Sequence, residues 1–288
     1  MIPTPRTRVL LLGGTGMVGS QVARILGESS LLDVASIGRD VLDLSGPIQC
    51  RREFQKLVEV FKPDYVINCA ADLGRIRTIS NLCHQLQVNG LFPRFAAKLA
   101  ERSDFFLIHL SSDAVFFGKK GNYLETSFRI PRTIYSISKI LGEKKSDSSL
   151  VIRCSVVGES PSKSNRISIF SWFKQLLNDA KINGYVNQRW NGVTSTALAK
   201  LFLGITEAGY RIGGVHHFIP ADTLSKYELL KLFREITYRS DVEIVASRGA
   251  HSINRILLTN NPALNAHFWT LAGHEQVPQI RRLIESDF

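Results

Sequence analysis

Cysteine is scarce in this chain of 288 residues, with only four in total and no C-x-x-C pair among them. Cys69 and Cys154 lie inside apolar, strand-like runs. This pattern is typical of buried free thiols in a reducing compartment. We therefore expect no disulfide framework.

Long apolar runs are also missing. No run approaches the ~18 residues that a membrane-spanning helix needs, and the first residues, MIPTPRTRV, contain no apolar core of signal-peptide length. We therefore expect a cytoplasmic protein without membrane insertion.

A basic block is absent as well, although the formal net charge is +11, from 36 Lys plus Arg against 25 Asp plus Glu. The basic residues are dispersed, and pairs such as Arg51-Arg52 and Lys144-Lys145 are the densest clusters. A nucleic-acid-binding arm needs a longer block, so we expect no nucleic-acid partner. The charge suits a polyanionic ligand such as a dinucleotide or a nucleotide sugar, but a merely solvated basic surface explains it equally well.

Glycine, in contrast, is concentrated near the start of the chain. Residues 8–22, RVLLLGGTGMVGSQV, predict a buried strand, a glycine turn and the beginning of a helix, with Gly13, Gly16 and Gly19 at G-x-x-G-x-x-G spacing. Such glycines permit a sharp turn, the approach of a backbone to a pyrophosphate, and close helix–strand packing. The helix N-terminus offers N–H groups to phosphates. Glycine turns also occur without a ligand, so this signal needs support from elsewhere.

Strands and helices alternate regularly up to about residue 158. Strands are predicted at 9–12, 33–37, 65–71, 105–110 and 150–153, with helices at 18–26, 54–61, 78–102 and 135–144 between them. This alternation predicts an α/β fold with a Rossmann-type, doubly wound parallel sheet.

The pattern loosens after Gly158. Helices are predicted at 168–180, 195–208 and 226–237, strands at 184–187, 214–219 and 242–245, and a ligand-covering loop at 160–165. We therefore predict an NAD(P)-binding domain at 1–158. Residues 159–288 would form a smaller, mainly substrate-binding lobe that is partly interleaved with it.

The second predicted strand ends in Gly38-Arg39-Asp40. In this fold the residue that closes the second strand meets the adenosine ribose, and an arginine there accommodates a 2′-phosphate. Arg39 therefore favours NADPH. NADH stays open, because Asp40 lies beside Arg39 and an arginine is also common in an ordinary turn.

Three residues in the middle of the chain form a candidate catalytic set. Tyr135 and Lys139 are four apart and share one face of a predicted helix, and Ser112 follows the fourth strand. A phenol is a poor acid–base group near neutral pH unless its anion is stabilised, as a nearby ammonium would do. Ser112 would hydrogen-bond a substrate carbonyl while Tyr135 gives up its proton.

At these residues the chain resembles the extended short-chain dehydrogenase/reductase superfamily, and within it the dTDP-4-dehydrorhamnose reductase family. The matching segments are GGTGMVG (13–19), LDLS (42–45), KPDYVINCAA (62–71), VNG (88–90), LSSDAVFFG (110–118), Tyr135-x-x-x-Lys139 with Gly142-Glu143, and RCSVVG (153–158). VNQRWNGVTS (186–195) and VHHF (215–218) match more loosely.

The resemblance implies NAD(P)H-dependent reduction of a 4-keto group on a nucleotide-linked 6-deoxy sugar for surface polysaccharide synthesis. It assigns carbonyl polarisation to Ser112, proton donation to Tyr135, and ribose binding to Lys139. The expected cofactor-binding residues are Gly13, Thr15, Gly16, Met17, Val18, Gly19, Arg39, Asp43, Leu44, Ala70, Ala71, Tyr135 and Lys139. It also leaves a homodimer open. We assign no ligand set for a metal.

Three departures from the family pattern lie where the substrate is expected. Ala114 stands where the family usually has an aromatic residue, Val156 where the enzymes of rhamnose synthesis have a tryptophan, and DLGRIRT (72–78) lacks the usual small polar residues. Two alternatives follow: a nucleotide-sugar epimerase or dehydratase that retains NAD, and a non-catalytic NADP-binding regulatory subunit.

Other chemistry-bearing residues receive structural interpretations. We expect His216-His217 to be a packed or surface pair, since no third ligand stands at metal-binding spacing. His109 alternates with Ile108 and Leu110 in the fourth strand, so we expect it to be structural. Trp190 and Trp269 are expected in a core or an interface.

Overall fold

The computed structural model describes residues 6–74, 77–161 and 168–288. Its strands are β1 (Thr7–Leu12), β2 (Leu32–Ile37), β3 (Tyr65–Asn68), β4 (Phe106–Leu110), β5 (Ser149–Arg153), β6 (Val156–Val157), β7 (Lys181–Tyr185), β8 (Gln188–Trp190), β9 (Val193–Thr194), β10 (Gly214–His217), β11 (Leu224–Ser225), β12 (Glu243–Ser247) and β13 (Ile253–Asn254). Its helices are α1 (Met17–Gly27), α2 (Gln49–Phe61), α3 (Ile79–Leu86), α4 (Phe92–Ala100), α5 (Ile134–Gly142), α6 (Ile169–Lys174), α7 (Ser195–Glu207), α8 (Lys226–Ile236), α9 (Pro262–Leu271) and α10 (Ile280–Asp287).

A six-stranded parallel sheet in the order β10-β5-β4-β3-β1-β2 forms the centre of the fold. Strand β1 shows why it is buried on both faces: Val9 and Leu11 join one core cluster, whereas Leu10 and Leu12 join another. Successive side chains of a strand point to opposite faces, so a continuous apolar run suits a sheet covered by helices on both sides. The predicted Rossmann-type α/β fold is confirmed.

Strand β3 is shorter than predicted and ends at Asn68 instead of residue 71. The Asn68 side chain accepts a hydrogen bond from the backbone N–H of Ala70 at 3.0 Å. This local bond turns the chain away from the sheet directly after the strand.

The helix predicted at 78–102 contains a π-helical turn, Gln87–Leu91, between α3 and α4. Pro93, in the first turn of α4, has no N–H to donate to the carbonyl of Asn89 four residues earlier. A side chain on Gly142 would meet that carbonyl oxygen at 2.4 Å, so α5 packs closely against the widened turn. The π-helical turn therefore sits against the helix that carries Tyr135 and Lys139.

The segments after residue 159 contribute to two different cores. Residues of α7 and α9, such as Phe202 and Trp269, pack into the cluster on one face of the central sheet, and β10 extends that sheet. A separate cluster forms around Phe170, Phe233 and Trp190. The domain boundary at 158/159 stays a prediction.

Several elements of the second half differ from expectation. Helix α6 ends at Lys174 instead of residue 180, β7 begins at Lys181 instead of 184, and α9 and α10 were not predicted. The capping box of Ser225 and Glu228 at the start of α8 is present as predicted. Of the predicted loop 160–165, residues 162–165 lie outside the described residues. No helix in the described part of the chain has both the length and the apolar character needed to cross a membrane.

Candidate functional site

The glycine turn after β1 depends on two close contacts. Gly13 has φ +80°, and a Cβ there would lie 2.5 Å from the backbone nitrogen of Ala70. A Cβ on Gly19 would lie 2.0 Å from the carbonyl oxygen of Gly13. Only glycine satisfies both positions. The turn therefore packs against the end of β3 and against its own helix, as the sequence predicts.

The N-terminus of α1 has no side-chain cap. Gly16 is the N-cap residue and supplies no side-chain hydrogen bond to the first turn. Thr15 is exposed and Met17 half-buried, whereas Val18 packs its side chain into the core, so that only its backbone is available to a ligand. The first N–H groups of an uncapped helix need an acceptor, and a pyrophosphate provides one.

The residues expected around the adenosine lie in the loop that follows β2. A Cβ on Gly14 would meet the Ser36 hydroxyl at 2.0 Å, which shows how closely the end of β2 approaches the glycine turn. Arg39 and Asp43 are exposed, and Leu44 is buried. Hydrogen bonds from the backbone and hydroxyl of Ser45 lower the pKa of Asp43, with smaller contributions from the charges of His84 and Arg39.

Ala70 and Ala71 follow β3, and the residue after them, Asp72, is hydrogen-bonded to α3 and to the π-helical turn. Asn89 accepts a hydrogen bond from the backbone N–H of Asp72 at 2.7 Å and donates one to its carbonyl at 2.7 Å. The Asp72 carboxylate pairs with His84 Nδ1 at 2.9 Å. Asn89 and His84 were not predicted as site residues, although VNG (88–90) is one of the matching segments. Of the segment 72–78, residues 75 and 76 lie outside the described part.

Ser112 stands at the end of β4, where it caps a 3₁₀ turn over Asp113–Val115. Its hydroxyl donates a hydrogen bond to Asp113 Oδ1 at 3.0 Å and accepts one from the backbone N–H of Ala114 at 3.1 Å. These bonds fix the hydroxyl at the carboxyl edge of the sheet, which is where ligands of open α/β sheets bind.

Tyr135 lies in the first turn of α5, whose N-terminus is capped by Thr133. Burial raises the pKa of Tyr135 to about 12, while the nearby Ser112 hydroxyl acts in the opposite direction. The structure therefore brings Ser112 and Tyr135 together, although they are 23 positions apart in sequence. At neutral pH the phenol carries its proton.

Lys139, one turn further along α5, is only 2% exposed. Its Nζ donates a hydrogen bond to the carbonyl of Leu110 in β4 at 2.7 Å. Burial lowers the pKa of Lys139 to about 8, against the charge of Glu143, which raises it. A buried ammonium needs acceptors, and here the first of them is a strand carbonyl.

A buried ion-pair network next to α5 was not predicted. Glu143 accepts hydrogen bonds from Arg153 Nη2 at 2.7 Å, from the Ser111 hydroxyl at 2.6 Å and from Arg129 at 2.9 Å. Burial would raise the pKa of Glu143, but Arg153, Ser111 and Arg129 together lower it. The sequence signal was a charged residue, Arg153, closing an apolar strand.

The histidine and tryptophan side chains are packed as expected. His109 is buried and contacts Asn68 through Nδ1, and His217 is buried with Nδ1 against the Leu258 carbonyl at 2.6 Å. Trp190 and Trp269 are both buried. Among the described residues no group of three or more His, Cys, Asp or Glu side chains is placed to hold a metal ion.

Comparison with known proteins gives a consistent result. The sequence model of the family described as "RmlD substrate binding domain" matches residues 7–281. A dTDP-4-dehydrorhamnose reductase of Aggregatibacter actinomycetemcomitans is 26% identical over 272 residues, covering 89% of this chain and 87% of the relative.

A second relative and a solved structure extend the comparison. A dTDP-4-dehydrorhamnose reductase of Streptomyces griseus is 33% identical over 145 residues, and that alignment spans 50% of this chain and 46% of the relative. The crystal structure of dTDP-4-dehydrorhamnose reductase from Bacillus anthracis str. Ames in complex with NADP has a TM-score of 0.79, covers 99% of both chains and is 19% identical. It is similar to this chain in fold.

Proposed function

The chain belongs to the RmlD substrate binding domain family, within the extended short-chain dehydrogenase/reductase superfamily, and from that premise we propose that it is an NAD(P)H-dependent reductase. Its substrate is a nucleotide-linked 4-keto-6-deoxy sugar, a precursor of surface polysaccharide. One observation carries the proposal: Ser112 lies near Tyr135 at the carboxyl edge of a sheet whose first turn leads into a helix N-terminus without a side-chain cap.

The glycine turn suits a dinucleotide. Gly13 and Gly19 allow the turn to pack closely, and Gly16 leaves space and uncapped N–H groups for a pyrophosphate at the start of α1. The exposed Arg39 would meet a 2′-phosphate, so NADPH is the cofactor that we propose. When bound, NADPH supplies a hydride to the carbonyl carbon of the sugar.

The protein's own groups handle the proton. When substrate binds, the Ser112 hydroxyl turns its proton from Asp113 Oδ1 to the carbonyl oxygen and stabilises the negative charge that develops there. Tyr135 then donates its phenolic proton to that oxygen, which completes the alcohol, and water returns a proton to the tyrosinate. Since burial raises the pKa of Tyr135 to about 12, the phenol starts the reaction protonated, as a donor must.

Lys139 has a supporting role in this scheme. One of its ammonium N–H groups is used by the Leu110 carbonyl, and an ammonium has two more. We propose that these bind the hydroxyl groups of the cofactor ribose.

The test is oxidation of NADPH in the presence of 4-keto-6-deoxy nucleotide sugars. Tyr135→Phe removes the donated proton and keeps the ring, so kcat should fall by a factor of about 10² to 10⁴ while NADPH still binds. Tyr238→Phe is the matched control, because Tyr238 is 91% exposed and far from any core. Wild-type turnover in Tyr135→Phe would rule out Tyr135 as the donor.

The same assay separates the alternatives. Conversion of a sugar with no net consumption of NADPH, in a protein purified with bound NAD, would support an epimerase or a dehydratase. Cofactor binding without turnover of any keto sugar would support a regulatory subunit. We favour the reductase because the complete Ser112, Tyr135 and Lys139 set is superfluous for a binding module. Four free cysteines support the cytoplasm as its location, and a homodimer is its proposed assembly.

A further inference from the structure

A small sheet in the second half of the chain brings two cationic residues beside the catalytic edge. Its order is β11-β8-β13. Leu224 of β11 pairs with Trp190 of β8, and Asn254 of β13 pairs with Arg189 on the other side of β8. Lys226 and Arg255 follow these paired strands and therefore flank the same central strand.

Arg255 is fastened to the segment that begins at Ser112. The backbone N–H of Asn254 donates to the Gly118 carbonyl at 2.7 Å. A Cβ on Gly118 would lie 2.9 Å from Arg255 Cγ, so the arginine side chain lies directly over that glycine. Gly118 ends the loop that starts with the 3₁₀ turn of Ser112. The side chain of Arg255, from the second half of the chain, therefore lies beside the loop that begins at Ser112.

Lys226 approaches from the other edge of the small sheet. Its Nζ lies 5.9 Å from the centre of the Trp190 ring. Trp190 is itself fixed by a hydrogen bond from Nε1 to the Ser155 hydroxyl at 2.6 Å, just beyond β5. The lysine is therefore held near the carboxyl edge of the central sheet.

Asp113 is the acidic group that faces these cations. Burial raises the pKa of Asp113, and the charges of Arg255 and Lys226 act against that rise. Burial lowers the pKa of Lys226, against the charge of Asp113. Arg255 also acts to lower the pKa of Tyr135. The charges of the three groups therefore act on one another, and the charge of Arg255 also acts on Tyr135.

These charges are close but not paired. Asp113 receives its hydrogen bonds from Ser112, and in the described part of the chain it forms no ion pair with Lys226 or Arg255. Arg255 Nε is buried and has no hydrogen-bond partner there. A buried donor without an acceptor destabilises the folded state, so the Arg255 side chain is not explained by a contribution to folding.

The position of Lys226 is also unfavourable for folding. It is the first residue of α8, directly after the N-cap Ser225, where the helix dipole repels a cation. Unfavourable charges that the fold does not need are characteristic of binding sites. Two cations against one carboxylate leave a net positive charge beside Ser112.

We propose that Lys226 and Arg255 form a subsite that binds an oxyanion of the substrate next to Ser112 and Tyr135. This inference rests on the proposed function, since it takes the bound molecule to be a nucleotide sugar. The oxyanion belongs either to the diphosphate bridge or to a carboxylate on the sugar ring. Both offer the same chemistry to an ammonium and a guanidinium.

Equilibrium binding measured by calorimetry at low salt tests the subsite without any turnover. The probes are dTDP, UDP-glucose and UDP-glucuronate, of which the last two differ in the carboxylate. Lys226→Gln and Arg255→Gln should each weaken probe binding about tenfold or more, and NADPH binding should not change. Lys231→Gln is the matched control, because Lys231 lies on the same helix and contacts Tyr227 instead.

A third variant should change probe binding in the opposite direction. Asp113→Asn removes the opposing negative charge, so it should strengthen probe binding severalfold, a direction that a structural defect would not produce. Circular dichroism and thermal unfolding of each variant check that the fold is retained.

The outcomes separate the two sources of the oxyanion. Equal losses for UDP-glucose and UDP-glucuronate assign the subsite to the diphosphate, whereas a loss confined to UDP-glucuronate assigns it to a sugar carboxylate. Unchanged affinities in both glutamine variants, or no binding of any probe to the wild-type protein, would overturn the subsite. Failure of the proposed reduction shows itself separately, in the NADPH assay with Tyr135→Phe.

Discussion

The two halves of the site are built in opposite ways. The cofactor half of the proposed site is centred on one short stretch, the turn at 13–19 and the uncapped start of α1, which packs on the end of β3. The substrate half is assembled from segments separated by more than a hundred residues, with Asp113 after β4 and Lys226 and Arg255 beside the small sheet.

The difference teaches what each half recognises. A pyrophosphate is common to all dinucleotides, and backbone N–H groups at a helix start bind it without a specific side chain. A substrate is recognised by side chains, and these can change while the sheet edge stays the same. The buried ion pair of Glu143 and Arg153 joins the C-terminal end of α5 to the end of β5.

The largest effect on stability and on NADPH affinity is expected from Gly13→Ala, in the cofactor half. An alanine at φ +80° with its Cβ 2.5 Å from the nitrogen of Ala70 should destabilise the protein by about 3–5 kcal/mol. NADPH affinity should fall at least a hundredfold in a fluorescence titration. Gly27→Ala is the control, because a Cβ there meets nothing within 4 Å. A Gly13→Ala protein that binds NADPH normally would show that the turn is only structural.

The next largest effect is expected at the buried ion pair of Glu143 and Arg153. Glu143→Gln leaves Arg153 buried without its counter-charge, which should cost about 3–5 kcal/mol in urea unfolding. Because the pKa of Glu143 is lowered in the folded state, its contribution is present above the unfolded pKa and is lost as the pH falls through the folded one. The exposed pair Lys181–Glu243 provides the control: Glu243→Gln should change stability by less than about 1 kcal/mol. Equal losses of unfolding free energy in the two variants would contradict a stabilising role of the buried pair.

A smaller, pH-dependent effect is expected at His217, beside the same network. Burial lowers the pKa of His217 to about 4, with Glu125 acting in the opposite direction. The folded state therefore favours the neutral imidazole of His217 more strongly than the unfolded state does. The free energy of unfolding is unaffected by this histidine above the unfolded pKa of about 6.5, and it decreases as the pH falls towards 4. This loss amounts to about 3 kcal/mol. Thermal unfolding between pH 7 and pH 4 measures it, and His217→Asn should flatten the profile. An unchanged slope in that variant would assign the pH dependence to other groups.

The smallest effect is expected from Arg39→Asp, at the outer end of the cofactor half. Arg39 is exposed, so its attraction to a 2′-phosphate is partly screened. The preference for NADPH over NADH should shift by about tenfold, or ~1.4 kcal/mol, in parallel titrations at low salt. Arg102→Asp, another exposed arginine, should leave the preference unchanged. A constant NADPH to NADH ratio in Arg39→Asp would place the 2′-phosphate elsewhere.

Local patterns predicted much of the fold, and they supplied the candidate residues of the site. The apolar run of β1, the glycine spacing after it and the i, i+4 pair Tyr135 and Lys139 each follow from a short stretch of sequence. The capping box of Ser225 and Glu228 also forms as predicted. In contrast, α9 was missed, since Trp269 and its neighbours bury their side chains against distant residues and show little helical amphipathicity.

The sequence by itself determined the alternation of strands and helices, the glycine turn and the identity of the three catalytic candidates, because these depend on backbone sterics and on periodic burial along a few residues. Only the tertiary structure decided which charges meet. Glu143 pairs with Arg153 across α5 and β5, Lys139 reaches the Leu110 carbonyl, and Lys226 and Arg255 face Asp113. Electrostatic interactions depend on distance in space and on burial, and neither is set by separation along the chain.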